Sequence, residues 1–139
     1  MPFVLDASLT MSWCFADEST PYSRAILSSL AETWAEVPAL WLTEVANVLA
    51  VNERKGRILP ALSDEFLDTL ATLDIRMEQP VPPIGGRSLL SLARKHHLTA
   101  YDAAYLELAK RKNLPIATLD SDLRDAACHA GVVLVEHLT

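Results

Sequence analysis

Two short apolar runs near opposite ends of the chain, FVL at residues 3–5 and LPIATL at 114–119, each stop at an acid, Asp6 and Asp120. Runs this short and this apolar read as strands buried on both faces, which happens in a sheet that helices cover on each side. The intervening segments carry the matching helical signals. Residues 7–15 read as a loop turning into a helix, and a helix is predicted over 21–35, with Pro21 suited to a first turn. EVPAL at 36–40 is a short strand or extended entry. Leu42, Val45, Ala46, Val48, Leu49 and Val51 recur at helical spacing over 41–55, a stretch closed by basic residues and Gly56. Pro60 and Ser63 open a further helix, and IRME at 75–78 reads as a strand. PVPPIGG at 80–86 is a surface loop. Helices follow over 86–97, from Thr99 to about Lys112 and over 122–130, where Gly131 stops the last before a final strand, VVLVEHL at 132–138. Short strands alternating with longer helices imply parallel pairing through right-handed crossovers. The expected fold is therefore α/β: a three-layer α/β/α sandwich around a short central, mainly parallel sheet.

A chain of 139 residues is expected to form one domain over 1–139. Half of its residues are hydrophobic and 22% are charged, which excludes the disordered class. The first apolar run contains an acid and lacks the basic start of a secretion signal, so a cytoplasmic protein is expected. No apolar run approaches the roughly 20 residues that cross a bilayer, so no membrane association is expected. Cys14 and Cys128 show no metal-type or disulfide spacing and are expected to be buried as small hydrophobes. The net charge of -6 opposes nucleic-acid binding unless several acids converge on cations and reverse the local field.

Four acids stand where packing alone would not put them. Asp6 and Asp120 follow buried-type strands, and the carboxyl ends of parallel strands are where ligands bind. Glu44 shares a helical stripe with Trp41, Val48 and Val51, so its carboxylate projects among apolar neighbours. Asp102 occupies the first turn of its helix, where the dipole favours an acid. Each also has a structural alternative. Asp6 caps a turn, Asp120 caps the next helix, Thr99 and Asp102 form a capping box, or Glu44 reaches solvent. A carboxylate cluster is the cage expected for Mg2+ or Mn2+, hard ions that take oxygen ligands and serve phosphodiester hydrolysis. His96, His97, His129 and His137 form no metal-binding helical pattern and read as surface or structural residues.

FVLDAS, PALWLTEVANVL, LTAYDAAYLELAKRKNLPIATLDSDLRDAA and AGVVLV, in that order, resemble the PIN-domain family over nearly the whole chain. The likeness is closest to VapC-like toxins, the ribonuclease halves of type II toxin–antitoxin pairs. That resemblance implies Asp6, Glu44, Asp102 and Asp120 as the catalytic set, with Asp6, Asp102 and Asp120 as ligands of Mg2+ or Mn2+. It implies supporting roles for Ser8, Asn47, Thr118 and Asp122. It also implies hydrolysis of RNA, a homodimer and a cognate antitoxin protein. For RNA contact the chain offers Arg24, Arg54, Lys55, Arg57, Arg87, Arg94, Lys95 and the run 110–112.

Two rival readings remain. A phosphatase with Asp6 as nucleophile would want a second acid two residues on, where Ser8 stands. A PIN-like scaffold would bind RNA or protein without cutting.

Overall fold

Buried parallel strands need no alternation of polar and apolar residues, and the central strand here has none: Phe3, Val4 and Leu5 are all buried. The computed structural model describes residues 1–136. In chain order the elements are β1 (Phe3–Leu5), α1 (Ala7–Met11), α2 (Pro21–Ser29), β2 (Ala35–Val37), α3 (Leu40–Arg54), α4 (Pro60–Ala71), β3 (Ile75–Met77), α5 (Gly86–His96), α6 (Ala100–Lys112), β4 (Ile116–Ala117) and α7 (Ser121–His129). The sheet order is β3-β2-β1-β4, and every pairing is parallel. Helices flank the sheet in the expected three-layer α/β/α arrangement. Among the described residues no helix is long and apolar enough to cross a membrane.

The register fixes what meets at the carboxyl edge. Val4 stands opposite Ile116 and Leu5 opposite Ala117, and the Asp6 amide donates to the Ala117 carbonyl at 3.1 Å. The chain therefore leaves β1 and β4 at the same level, Asp6 on one side and Thr118 on the other. α6 packs against β1 through a run of buried residues, Ala103 to Leu106, so its first turn also reaches this edge.

Several boundaries differ from the pattern in the sequence. Residues 7–11 are helical directly after Asp6, and the turn follows the helix instead of preceding it. The second helix stops at Ser29, because Ala35 and Val37 are drawn into β2 and buried there. Among the described residues the last strand is reduced to one bridge: Ile116 pairs with Leu134, donating to the Val133 carbonyl and accepting from the Val135 amide, each at 2.9 Å. His137 and Leu138, the end of that expected strand, lie outside the described residues. The cysteines are not buried as expected. Cys14 is half-buried and Cys128 is exposed, because α7 turns Leu123, Ala126 and Ala127 inward and leaves the next position facing solvent.

Candidate active site

The edge where β1 and β4 end carries a continuous hydrogen-bonded chain. Asp6 occupies the N-cap position of α1 in extended conformation, yet its side chain makes no cap bond. Its Oδ2 instead accepts from the Ser8 hydroxyl and from the Thr118 hydroxyl, both at 2.6 Å. Thr118 Oγ1 in turn accepts from the Asp120 amide at 3.0 Å. Asp6 is 4% exposed and Thr118 is fully buried, so these neutral donors replace water around the Asp6 carboxylate. Asp120 does cap α7, its Oδ1 accepting from the amides of Asp122 at 2.8 Å and Leu123 at 3.2 Å. The structural alternative for Asp120 thus holds, and its carboxylate still lines the cavity described below.

Glu44 and Asp102 arrive from helices. Glu44, half-buried on α3, accepts at Oε1 from the Tyr105 hydroxyl at 2.6 Å. Asp102 stands in the first turn of α6, where its amide donates to Thr99 Oγ1 at 3.1 Å. Only this half of the capping box forms, so the Asp102 carboxylate is not spent on the Thr99 amide.

Asp6, Ser8, Glu44, Asn47, Asp102 and Asp120 all line one cavity of about 360 Å3. The electrostatics register the crowding. Burial, then the charges of Asp6, Asp120, Glu44 and Asp122, push Asp102 up from 3.8 to about 6. Burial raises Asp6, with Asp120 adding to the effect and the Ser8 and Thr118 hydroxyls opposing it. Burial also raises Glu44, with Asp6 contributing and Tyr105 opposing. Among the described residues none of these four carboxylates forms an ion pair with Lys, Arg or His, although six such contacts occur elsewhere.

Oxygen donors of net negative charge around a solvent-sized space suit a hard divalent cation. As placed, no three acids, histidines or cysteines among the described residues form a finished ligand cage. The carboxylates are spread around the cavity, an arrangement that fits an ion retaining several of its waters. Of the supporting residues, Ser8 and Thr118 hold Asp6, while Asn47 lines the cavity from an exposed position on α3. Asp122 is exposed and outside the cavity lining, and acts on the site only through its charge and its amide.

Three further residues belong to this region and escaped the sequence reading. Glu18 and Asn52 also line the cavity, and Tyr105 holds Glu44. Tyr105 had one visible signal, a position three residues after Asp102 on the same helix. Glu18 had none, because it ends a single 3-10 turn, Ala16–Glu18, too short to leave a periodic pattern.

No curated protein sequence matches the chain. Solved structures do. PAE2754 from Pyrobaculum aerophilum superposes with a TM-score of 0.70 at 20% identity, covering 91% of this chain and 84% of that one. VapBC2 from Rickettsia felis, solved with a DNA fragment from their promoter, gives 0.68 at 10% identity, covering 97% and 98%. FitAcB from Neisseria gonorrhoeae gives 0.62 at 21% identity, covering 99% and 100%. These likenesses are of fold. The family model of the PIN domain matches residues 3–127, and the chain therefore belongs to the PIN-domain family, whose members are generally nucleases.

Proposed function

We propose that the chain is a metal-dependent endoribonuclease and the toxin of a VapBC-like toxin–antitoxin pair. The observation that carries this reading is the gathering of Asp6, Glu44, Asp102 and Asp120 around one cavity with no cationic side chain among the described residues paired to any of them. Asp6, Asp102 and Asp120 would hold Mg2+ or Mn2+, which when bound would supply electrophilic activation of a phosphodiester and of water. The chain's own part is to keep those oxygens in place. Ser8 and Thr118 fix the Asp6 carboxylate through Oδ2, and the amides of Asp122 and Leu123 fix Asp120 through Oδ1. The raised Asp102 carboxyl reflects crowding by burial and by neighbouring acids, a cost that a bound cation would relieve.

RNA is the proposed substrate. Arg54, Lys55, Arg87, Arg94, Lys95 and Lys110 form no ion pair among the described residues and are the cations free to meet phosphate. Arg57, Arg111 and Lys112 are already paired with acids. The likeness in fold to VapBC2 supports reading this chain as one half of such a pair. A cavity of about 740 Å3, walled by Trp13, Leu27, Ile58, Leu62 and Phe66, shares Phe15 with the acid cavity and offers an apolar seat for an antitoxin segment. A homodimer would cover exposed apolar side chains such as Leu42, Leu90 and Tyr101. The proposed site of action is the cytoplasm.

One observation favours a second reading, a scaffold that binds RNA or protein without cutting: the acids do not form a finished cage as they stand. Incubating purified chain, free of any partner, with a mixed RNA pool separates the two. The nuclease reading predicts internal cuts with Mg2+ or Mn2+ and none with EDTA. RNA retained intact under every metal condition would favour the scaffold.

A further inference from the structure

Glu44 is held by a side chain from another helix. Tyr105 is fully buried, and its hydroxyl donates to Glu44 Oε1 at 2.6 Å. Its place on α6, three residues after Asp102, puts both on neighbouring turns of one helix. The backbone of Ala7, the residue after Asp6, lies beside the same hydroxyl. One phenol thus touches the segments that carry three of the four acids: α6 with Asp102, α3 with Glu44, and the junction of β1 and α1 beside Asp6.

Packing alone would not require this partner. A phenol can satisfy its hydroxyl on a main-chain carbonyl, as the half-buried Tyr22 does with Val135 O at 2.7 Å. Tyr105 donates instead to an ionisable side chain that lines the acid cavity. A carboxylate there is partly stripped of water and, without a partner, would be free to change rotamer. A donor fixed by complete burial offsets the first cost and removes the second.

We propose that Tyr105 is a positioning residue: its hydroxyl fixes the rotamer of Glu44 and occupies Oε1, leaving Oε2 as the oxygen presented to the acid cavity, where it would accept from the water shell of an ion held by Asp6, Asp102 and Asp120. The role rests on the metal-nuclease reading above, and Glu44 is the group through which Tyr105 acts.

The test is Mn2+ uptake by the full chain, measured by calorimetry for wild type, Tyr105→Phe, Glu44→Ala and the double variant, with urea denaturation of each. Tyr105→Phe should weaken Mn2+ binding about tenfold, the usual scale for losing a partner of a metal-site group. The Mn2+ concentration for half-maximal RNA cleavage should rise by the same factor, with the KM for RNA unchanged. The double variant should bind no more weakly than Glu44→Ala alone. Tyr105→Phe binding as tightly as wild type overturns the proposal, as does a loss repeated in full without the Glu44 carboxylate. Wild type that takes up no Mn2+ overturns the metal reading and the positioning role with it. Wild-type uptake that Tyr105→Phe leaves unchanged overturns the positioning role alone. A second readout keeps the Tyr105 hydroxyl in place. With 3-fluorotyrosine at all three tyrosines, Mg2+ should shift the fluorine resonance of Tyr105, assigned by Tyr22→Phe and Tyr101→Phe. A resonance unmoved by saturating Mg2+ contradicts the role.

Discussion

Thr118 Oγ1 lies 2.6 Å from Asp6 Oδ2, although the two residues stand 112 positions apart in the chain. The same oxygen accepts from the Asp120 amide, so one buried hydroxyl links two of the acids. Thr118→Val keeps the shape but removes both hydrogen bonds, and should cost about 1–3 kcal/mol in urea denaturation at pH 7. Thr118→Ser keeps the hydroxyl and should lose less. Equal losses in the two variants would mean that the methyl group, not the hydroxyl, matters there.

Asp102 gives the metal-free protein a pH dependence of defined sign. Its carboxyl is raised from 3.8 to about 6, so between those values the folded chain keeps a proton that the unfolded chain has released. The stability contributed by this group is fully present below 3.8 and is lost as the pH rises through about 6. Asp102→Asn should therefore stabilise the metal-free protein above that window, by about 1 kcal/mol once solvent screening is allowed for, and flatten its profile. Added Mn2+ should stabilise wild type and have much less effect on the variant, because binding to the folded state alone raises stability by mass action. Urea denaturation across the pH range, with and without Mn2+, checks both statements. A wild-type profile that rises through pH 6 would contradict the first.

The chain's other acidic grouping is neutralised from within and should respond in the opposite way. Lys112 Nζ lies 2.8 Å from Glu36 Oε1 and 2.5 Å from Glu78 Oε1, and Arg111 adds a contact to Glu78 at 3.3 Å. The hydrogen bond and charge of Lys112, with Arg111 adding, hold the Glu78 carboxyl below its ordinary value. That stability is present above the unfolded value of 4.5 and is lost on acidification. Lys112→Met should cost up to about 1 kcal/mol at pH 7 and nothing once both glutamates are protonated. Its response to Mn2+ in thermal melting should match wild type. A lost response would place this grouping in the metal site.

The parts of this site that could be read along the chain are those set by local periodicity. Buried strands leave apolar runs, so Asp6 and Asp120 stand out as the acids that end them. Helical spacing puts Glu44 on a stripe with Val48, and Thr99 announces the start of the helix that carries Asp102. Contacts set by register and packing could not be read this way. The bond from Thr118 to Asp6 depends on β1 and β4 pairing at Leu5 and Ala117, and the bond from Tyr105 to Glu44 depends on how α6 meets α3. The final strand was the least legible part of the fold. The run at 132–138 has the composition of a strand, yet among its described residues only Leu134 bridges to Ile116, since pairing depends on what the neighbour offers as much as on propensity. Cys128 was misjudged for a related reason: residue type does not say which face of a short helix turns inward.

The most direct test of the central claim is the cleavage rate of one RNA by wild type and Asp6→Asn at the same Mg2+ concentration, with urea denaturation showing both to be folded. The account predicts metal-dependent cutting by wild type and a loss in Asp6→Asn beyond the roughly 10–100-fold that follows removal of an outer partner of a metal site. Cleavage by a folded Asp6→Asn at the wild-type rate would contradict it, because the buried carboxylate held by Ser8 and Thr118 would then take no part in the chemistry.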